Sequence, residues 1–237
     1  MDELKDKEID LRLFKERPLP SGRVLVSDIS FSLLAMIILY LAANLWAGKA
    51  FLMAVVLLVY SLLMFKYFFI PHILHKNLLL TLATHNPIVA LILFSVVVIF
   101  LIQHGLGLYN LNWTSLLLLV AMYWVASFAW EISRKIRSKE EENGYVTYSQ
   151  VFGRIGAVIV AGGTQTIAFI IALYFFQKLS LSWIFILILI AGYAITMWAH
   201  IRFVFKPNPV TSRLKPFGEM YMVSIAIAFI ADCFLIV

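Results

Sequence analysis

Apolar residues fill seven long stretches of the chain, and charged residues are concentrated between them. Each stretch has about 20 residues, the length that a helix needs to cross the hydrocarbon of a bilayer. The pattern predicts an all-α fold: a polytopic membrane helix bundle of seven transmembrane helices in a single membrane domain, 1–237. The predicted spans are 24–46, 50–70, 87–108, 113–130, 150–176, 182–205 and 217–237.

The composition agrees with a membrane location. Hydrophobic residues make up 62% of the chain and charged residues 14%, and the mean hydropathy is +0.93. A soluble domain cannot bury that much apolar surface, so a soluble enzyme is excluded. The net charge is +6, but no basic run is interleaved with aromatic residues, so we expect no nucleic-acid partner.

The positive charges predict the orientation in the membrane. When 1–23 is placed on the cytoplasmic side, only Lys49 and Lys178 of the 19 Lys and Arg residues fall on the other side. Cytoplasmic loops of membrane proteins carry such an excess of Lys and Arg. We therefore expect an integral, multi-pass protein whose polar loops 1–23 and 131–149 both face the cytoplasm.

The first polar stretch, 2–23, concentrates acidic residues. Glu3, Asp6 and Asp10 lie on one face if this stretch is helical. Carboxylates so close repel each other unless a cation lies between them, and Mg²⁺ takes oxygen ligands while keeping waters and substrate phosphates. A Mg²⁺–diphosphate site is one interpretation. The alternative is a solvated helix face stabilised by ion pairs, since Glu3 and Lys7 have i,i+4 spacing.

The residues after these acids favour the first interpretation. Pro18 excludes Arg17 from helical geometry, and Gly22 lets the chain turn. The stretch resembles the first aspartate-rich motif of the UbiA superfamily of intramembrane prenyltransferases, N-D-x-x-D-x-x-x-D followed by R-P-L-x-x-G. Asp2 stands at the Asn position and Glu3 at the first Asp. The positions that match are Asp6, Asp10, Arg17, Pro18, Leu19 and Gly22.

The second polar loop, 131–149, resembles the family's second motif, D-x-x-x-D followed by G-x-x-T and a later Gly. Gly144, Thr147 and Gly153 resemble this tail, and Glu131 stands in for the first Asp. The position four residues on is Lys135, which departs from the motif.

A local insertion would bring Glu140 or Glu141 into the second acidic role. The alternative for both residues is a solvated loop that binds nothing. Arg134 and Lys135 are expected to hold diphosphate oxygens, the former by a guanidinium fork and the latter as a point charge.

Three further residues suit a substrate. Tyr60 and Lys66, at the end of the second predicted span, resemble a Tyr and Lys of the family, although an interfacial lysine that extends towards water would look the same. Asn86 is expected to cap the helix that begins at Pro87. A role for Asn86 in substrate binding is also open.

The resemblance implies a Mg²⁺-dependent transfer of an isoprenyl group from a prenyl diphosphate to an aromatic or other lipophilic acceptor. Asp6, Asp10 and Glu131 would be catalytic, with Mg²⁺ held by these three and Glu3. The expected substrate-binding residues are Arg17, Tyr60, Lys66, Asn86, Arg134 and Lys135. Members of the family are expected to have nine helices, so this chain would correspond to helices three to nine.

Two other functions compete. The glutamates that stand at aspartate positions of the motifs, and the expected absence of the family's first two helices, would also suit a degenerate family member kept for binding or assembly. A transporter would need charged residues at mid-span, and the main polar residues within the spans are Gln103 and Asp232.

Overall fold

The computed structural model describes residues 2–5, 7–46, 48, 51–74 and 77–235. Within these ranges the regular structure is entirely helical. The chain divides into two compact units, 1–111 and 112–237, which we call the N-terminal and C-terminal units and describe separately. The single membrane domain stays a prediction.

The described part of the N-terminal unit contains three helices of 15 to 20 residues and several short ones. The helices are α1 (Asp2–Lys5), α2 (Lys7–Leu13), α3 (Val26–Leu45), α4 (Phe51–Phe65), α5 (Pro71–Leu74), α6 (Leu78–His85) and α7 (Pro87–Gln103). At the start of α3, the Asp28 carboxylate accepts a hydrogen bond of 2.9 Å from the Leu25 N–H. Helix α4 packs against both α3 and α7.

The C-terminal unit is a bundle of four long helices. They are α8 (Trp113–Ser133), α9 (Tyr148–Lys178), α10 (Trp183–Phe205) and α11 (Lys215–Leu235). Helices α8 and α10 each pack against α9 and α11. The core holds small alanines beside large rings, an arrangement that lets helices approach closely in lipid. Its buried residues are Met122, Ala126, Ala168, Ala172, Phe175, Phe185, Leu189, Tyr221, Ile225 and Ala228.

The prediction of a polytopic membrane protein is confirmed, with one span shorter than expected. Among the residues described, six helical segments are long and apolar enough to cross a bilayer: α3, α6 with α7, α8, α9, α10 and α11. The span predicted over 50–70 contains α4, which has 15 residues. Helix α4 ends early because Tyr67, Phe68 and Phe69 take left-handed backbone conformations, with φ of 49°, 50° and 61°.

The third predicted span begins earlier than expected. The Asn86 N–H donates to the Leu82 carbonyl at 3.0 Å, and Asn86 itself has helical dihedral angles. The apolar helical segment therefore runs from Leu78 to Gln103. Pro87 does occupy the first turn of α7, but the Asn86 side chain makes no capping hydrogen bond. The prediction that the Asn86 side chain caps α7 is wrong, because Asn86 already belongs to the continuous helical segment.

The polar residue of the last span has a structural partner. Asp232 on α11 is 1% exposed, and its Oδ1 accepts a 2.6 Å hydrogen bond from the Ser182 N–H at the start of α10. A carboxylate at a helix N-terminus satisfies a free N–H group and interacts favourably with the positive end of the helix dipole. This contact gives Asp232 Oδ1 a structural partner, whereas the buried Oδ2 has none among the described residues.

Candidate functional site

The first acidic stretch contains a buried carboxylate with a cationic partner. Asp10 on α2 is 2% exposed, and Arg17 Nη1 lies 2.7 Å from its Oδ1 and 2.8 Å from its Oδ2. The Arg17 guanidinium also lies 4.4 Å from the centre of the Phe14 ring. Arg17 thus neutralises the carboxylate that the motif assigns to a metal.

The other acidic residues of this motif have no described side-chain position. Asp6 lies outside the described residues, and Glu3 is part of α1 without a described side chain. Within the described part of the chain, no group of three His, Cys, Asp or Glu side chains could hold a metal ion. The Mg²⁺ ligands Glu3, Asp6 and Asp10 stay a prediction.

The tail of the first motif forms a tight turn, as predicted. Ser21 N–H donates to the Arg17 carbonyl at 3.0 Å, and Gly22 N–H donates to the Leu19 carbonyl at 3.2 Å. Gly22 has a φ of 75°, a left-handed conformation that glycine adopts without strain. Leu19 within this turn is buried. This geometry redirects the chain into α3 and keeps Arg17 beside Asp10.

Tyr60 and Lys66 have different surroundings. The Tyr60 hydroxyl donates a 2.7 Å hydrogen bond to the Thr84 carbonyl, so it joins α4 to α6. Lys66 is exposed, and its Nζ lies 5.4 Å from the centre of the Phe65 ring. Lys66 is therefore accessible to an anion, whereas the Tyr60 hydroxyl already has a backbone partner.

Sequence reasoning missed a second polar cluster in the N-terminal unit. Lys5 Nζ and His85 Nε2 are 2.6 Å apart, and Lys5 lies 3.7 Å from the centre of the Tyr67 ring. The next residue, Asn86, is 7% exposed, and its Oδ1 has no hydrogen-bond partner. A buried amide next to this cluster keeps a polar role for Asn86 open.

The second acidic candidate, Glu131, lies in the last turn of α8. Arg134 Nη2 donates to Glu131 Oε1 at 2.7 Å, and Arg134 Nε donates to Oε2. Lys135 Nζ lies 3.2 Å from Oε1. This i,i+3 and i,i+4 geometry follows from the helix. The two residues predicted to hold diphosphate thus partner Glu131, and the cluster carries net positive charge.

Glu141 fixes the loop that follows. Its Oε2 accepts hydrogen bonds from the Ser138 N–H at 3.0 Å, from the Ser138 hydroxyl at 2.9 Å and from the Ser212 hydroxyl. Partial burial raises the pKa of Glu141, but these hydrogen bonds, with the charge of Arg137, outweigh burial and lower the pKa. Glu141 therefore ties the loop after α8 to the loop before α11.

A polar pocket of about 320 Å³ lies beside this loop. Its wall carries three cations that the sequence analysis counted for topology but gave no role: Arg137, Lys139 and Arg154. Their spacing along the chain does not show that they converge. The other lining residues are Ser138, Glu140, Glu142, Ser149 and Pro207.

The tail of the second motif starts α9. The Thr147 Oγ1 accepts from the Gln150 N–H at 3.3 Å, and the Gln150 side chain accepts from the Thr147 N–H at 3.2 Å, which is a capping box. Gly153 interrupts the helix with φ 71° and ψ 164°. The Thr and Gly that the motif singled out thus shape the backbone that carries Arg154.

The comparison with known families agrees with the motifs. The sequence profile of the UbiA prenyltransferase family matches residues 1–225. No curated protein and no solved structure shows significant similarity to the chain.

Proposed function

The chain belongs to the UbiA prenyltransferase family, and on that premise we propose that it transfers an isoprenyl group from a prenyl diphosphate to an aromatic or other lipophilic acceptor in the membrane. The observation that carries the proposal is the set of cations at the end of α8, in the loop after it and in the first turns of α9. Arg134 and Lys135 leave the end of α8 net positive, and the polar pocket has three cations against two glutamates in its lining. Such groups suit a diphosphate.

The proposed reaction begins with cleavage of the allylic C–O bond of the donor. The diphosphate leaves with the bonding electrons, and fixed cations stabilise the charge that develops on it. Arg134 and Lys135, at the end of α8, are the proposed cations. Arg17 and Lys66 stay predictions from the family resemblance. The electron-rich acceptor attacks the allylic carbocation and then loses a proton. The apolar helices accommodate the prenyl chain.

Mg²⁺ is the cofactor that the family generally uses. The described carboxylates do not fit it as they stand, because Arg17 contacts both oxygens of Asp10 and two cations contact Glu131. The ligand set Glu3, Asp6, Asp10 and Glu131 stays a prediction from the family resemblance, and the metal dependence of prenyl transfer tests it.

The test is prenyl transfer from farnesyl or geranylgeranyl diphosphate by the full chain in liposomes, with and without Mg²⁺. We expect Asp6→Ala, Asp10→Ala and Arg134→Gln to abolish or strongly reduce transfer. Lys178→Gln is the matched control, because Lys178 lies at the other end of the helices of the C-terminal unit. Its Nζ donates a 2.6 Å hydrogen bond to the Ser115 hydroxyl. Transfer that survives all three site substitutions would refute the proposal.

A second candidate function is favoured by the same neutralised carboxylates. If Asp10 and Glu131 serve only as counter-ions for arginine, the chain binds a prenyl diphosphate without transferring it. Isothermal titration with a non-hydrolysable prenyl diphosphate measures binding independently of transfer. Glu131→Gln separates the two functions. If Glu131 is a counter-ion, the change releases Arg134 and Lys135 and tightens binding of the diphosphate. If Glu131 is catalytic, the change abolishes prenyl transfer.

A further inference from the structure

A lipid-facing groove runs between α9 and α10 in the C-terminal unit. It has a volume of about 390 Å³, within the range of about 300–1,000 Å³ typical of small-molecule sites. Gly162 and Gly163 form its α9 side, while Met197 and Val204 line the α10 side. Its rim is exposed at Ile159 and Ile201. A molecule dissolved in the bilayer therefore has direct access to it.

One buried imidazole lines this apolar groove. His200 is 2% exposed, and neither of its ring nitrogens has a hydrogen-bond partner. A methyl group built on Gly162 would lie 3.7 Å from His200 Nδ1, so this nitrogen faces the space that the missing side chain leaves. Among the described residues lining the groove, His200 carries the only N–H or O–H side-chain group.

An unpaired imidazole is unfavourable in hydrocarbon, where water does not compensate for it. Polar residues inside membrane spans are rare and usually have a functional partner. The neutral imidazole has one N–H donor and one nitrogen acceptor. A hydroxyl group complements either nitrogen, because it both donates and accepts, whichever tautomer His200 adopts.

We propose that this groove binds a membrane-dissolved alcohol or phenol, whose hydroxyl pairs with His200 and whose apolar body lies along α9 and α10. An anionic head group is disfavoured, because no Lys or Arg is among the described residues that line the groove. This groove is separate from the residues proposed for prenyl transfer, and hydroxyl binding at His200 requires none of the acidic motifs.

The experiment compares two photoreactive probes on the full chain in lipid nanodiscs. One is a long-chain alkanol with a diazirine at the far end, and the other is the same molecule without the hydroxyl. We expect the alkanol to label α9 and α10 several-fold more than the alkane, as detected by mass spectrometry of the peptides. Equal labelling by the two probes would overturn the inference.

Three variants test the groove. His200→Phe keeps a ring but removes both nitrogens, and should weaken alkanol binding about tenfold, the effect expected for one hydrogen bond. His200→Gln keeps a donor and an acceptor and should restore part of the labelling. Gly162→Leu should block both probes by filling the groove. Alkanol labelling unchanged in His200→Phe would refute the proposed role of the imidazole.

The matched control is His104→Phe. His104 is exposed at the end of α7, where its ring lies 4.1 Å from that of Phe100, and this change should leave labelling of α9 and α10 unaltered. Competition then distinguishes the two sources of a hydroxyl. Displacement by an alkylphenol in preference to a prenyl alcohol would indicate an aromatic ligand, and the reverse preference a lipid alcohol.

Discussion

Removing Arg17 should destabilise the protein more than its exposed position suggests. The Arg17 side chain is 44% exposed, but the Asp10 side chain that it contacts is 3% exposed. Arg17→Gln leaves a buried carboxylate without its cation. Breaking a buried ion pair in this way costs about 3–5 kcal/mol. Since Arg17 is half exposed, water and neighbouring groups replace part of its effect, and we expect about 2 kcal/mol.

The assay is a double-mutant cycle measured by unfolding in mixed detergent micelles. Arg17→Gln and Asp10→Asn are made singly and together. Asp10→Asn should also destabilise, because it leaves Arg17 without its partner. In the double variant the buried charge is gone, so its loss should be smaller than the sum of the two single losses by about 1–2 kcal/mol. Arg12→Gln is the control, because Arg12 is exposed on the same helix α2.

Two results would contradict this reasoning. Additive effects of the two substitutions would mean that the pair contributes no coupling energy. A loss in Arg17→Gln no larger than in Arg12→Gln, which should stay within about 0.5 kcal/mol, would mean that Asp10 is compensated by another group.

Three other effects should be measurable by unfolding of the purified protein. Gly153→Ala should lower the free energy of unfolding by about 1–3 kcal/mol, because a non-glycine residue is strained at this positive φ. Gly163→Ala is the control and should not destabilise, because a methyl group there meets open space. Equal effects of the two substitutions would contradict this prediction. Because the pKa of Glu141 is lowered in the folded protein, its carboxylate contributes stability above its unfolded pKa of about 4.3, and this stability is lost as the pH falls through the folded pKa. Glu141→Gln should remove this pH dependence. An unchanged plot of stability against pH in this variant would refute the prediction. Asp232→Leu should cost about 1 kcal/mol by removing the acceptor for the Ser182 N–H, and Asp232→Asn should cost less.

Most of the fold could be predicted from the sequence, because apolar runs of membrane length allow few alternatives. In the C-terminal unit the predicted spans and the observed helices α8 to α11 differ by only a few residues at their ends. The error at α4 has a local cause. Its left-handed turn is formed by Tyr67, Phe68 and Phe69, and three consecutive aromatic residues give none of the Gly, Asn or Asp signals that usually mark such a conformation.

The candidate site was predictable only where partners are close in sequence. The pairing of Glu131 with Arg134 and Lys135 follows from helical spacing. The bond between Glu141 and Ser212 spans 71 residues, and no pattern in the sequence indicates it. The same holds for His200, since an isolated histidine in an apolar run does not show whether its nitrogens have partners.

Asp10, Glu131 and Glu141 are all neutralised or hydrogen-bonded, but each by different partners. A carboxylate near hydrocarbon must be neutralised or hydrogen-bonded, and sequence alone does not distinguish a metal from a nearby cation or hydroxyl. Asp10 has an arginine, Glu131 an arginine and a lysine, and Glu141 two serines. Substituting Asp10 or Glu131 therefore changes stability as well as any catalytic role. A loss of prenyl transfer in these variants implicates chemistry only if it exceeds the loss of folded protein measured in the same micelles.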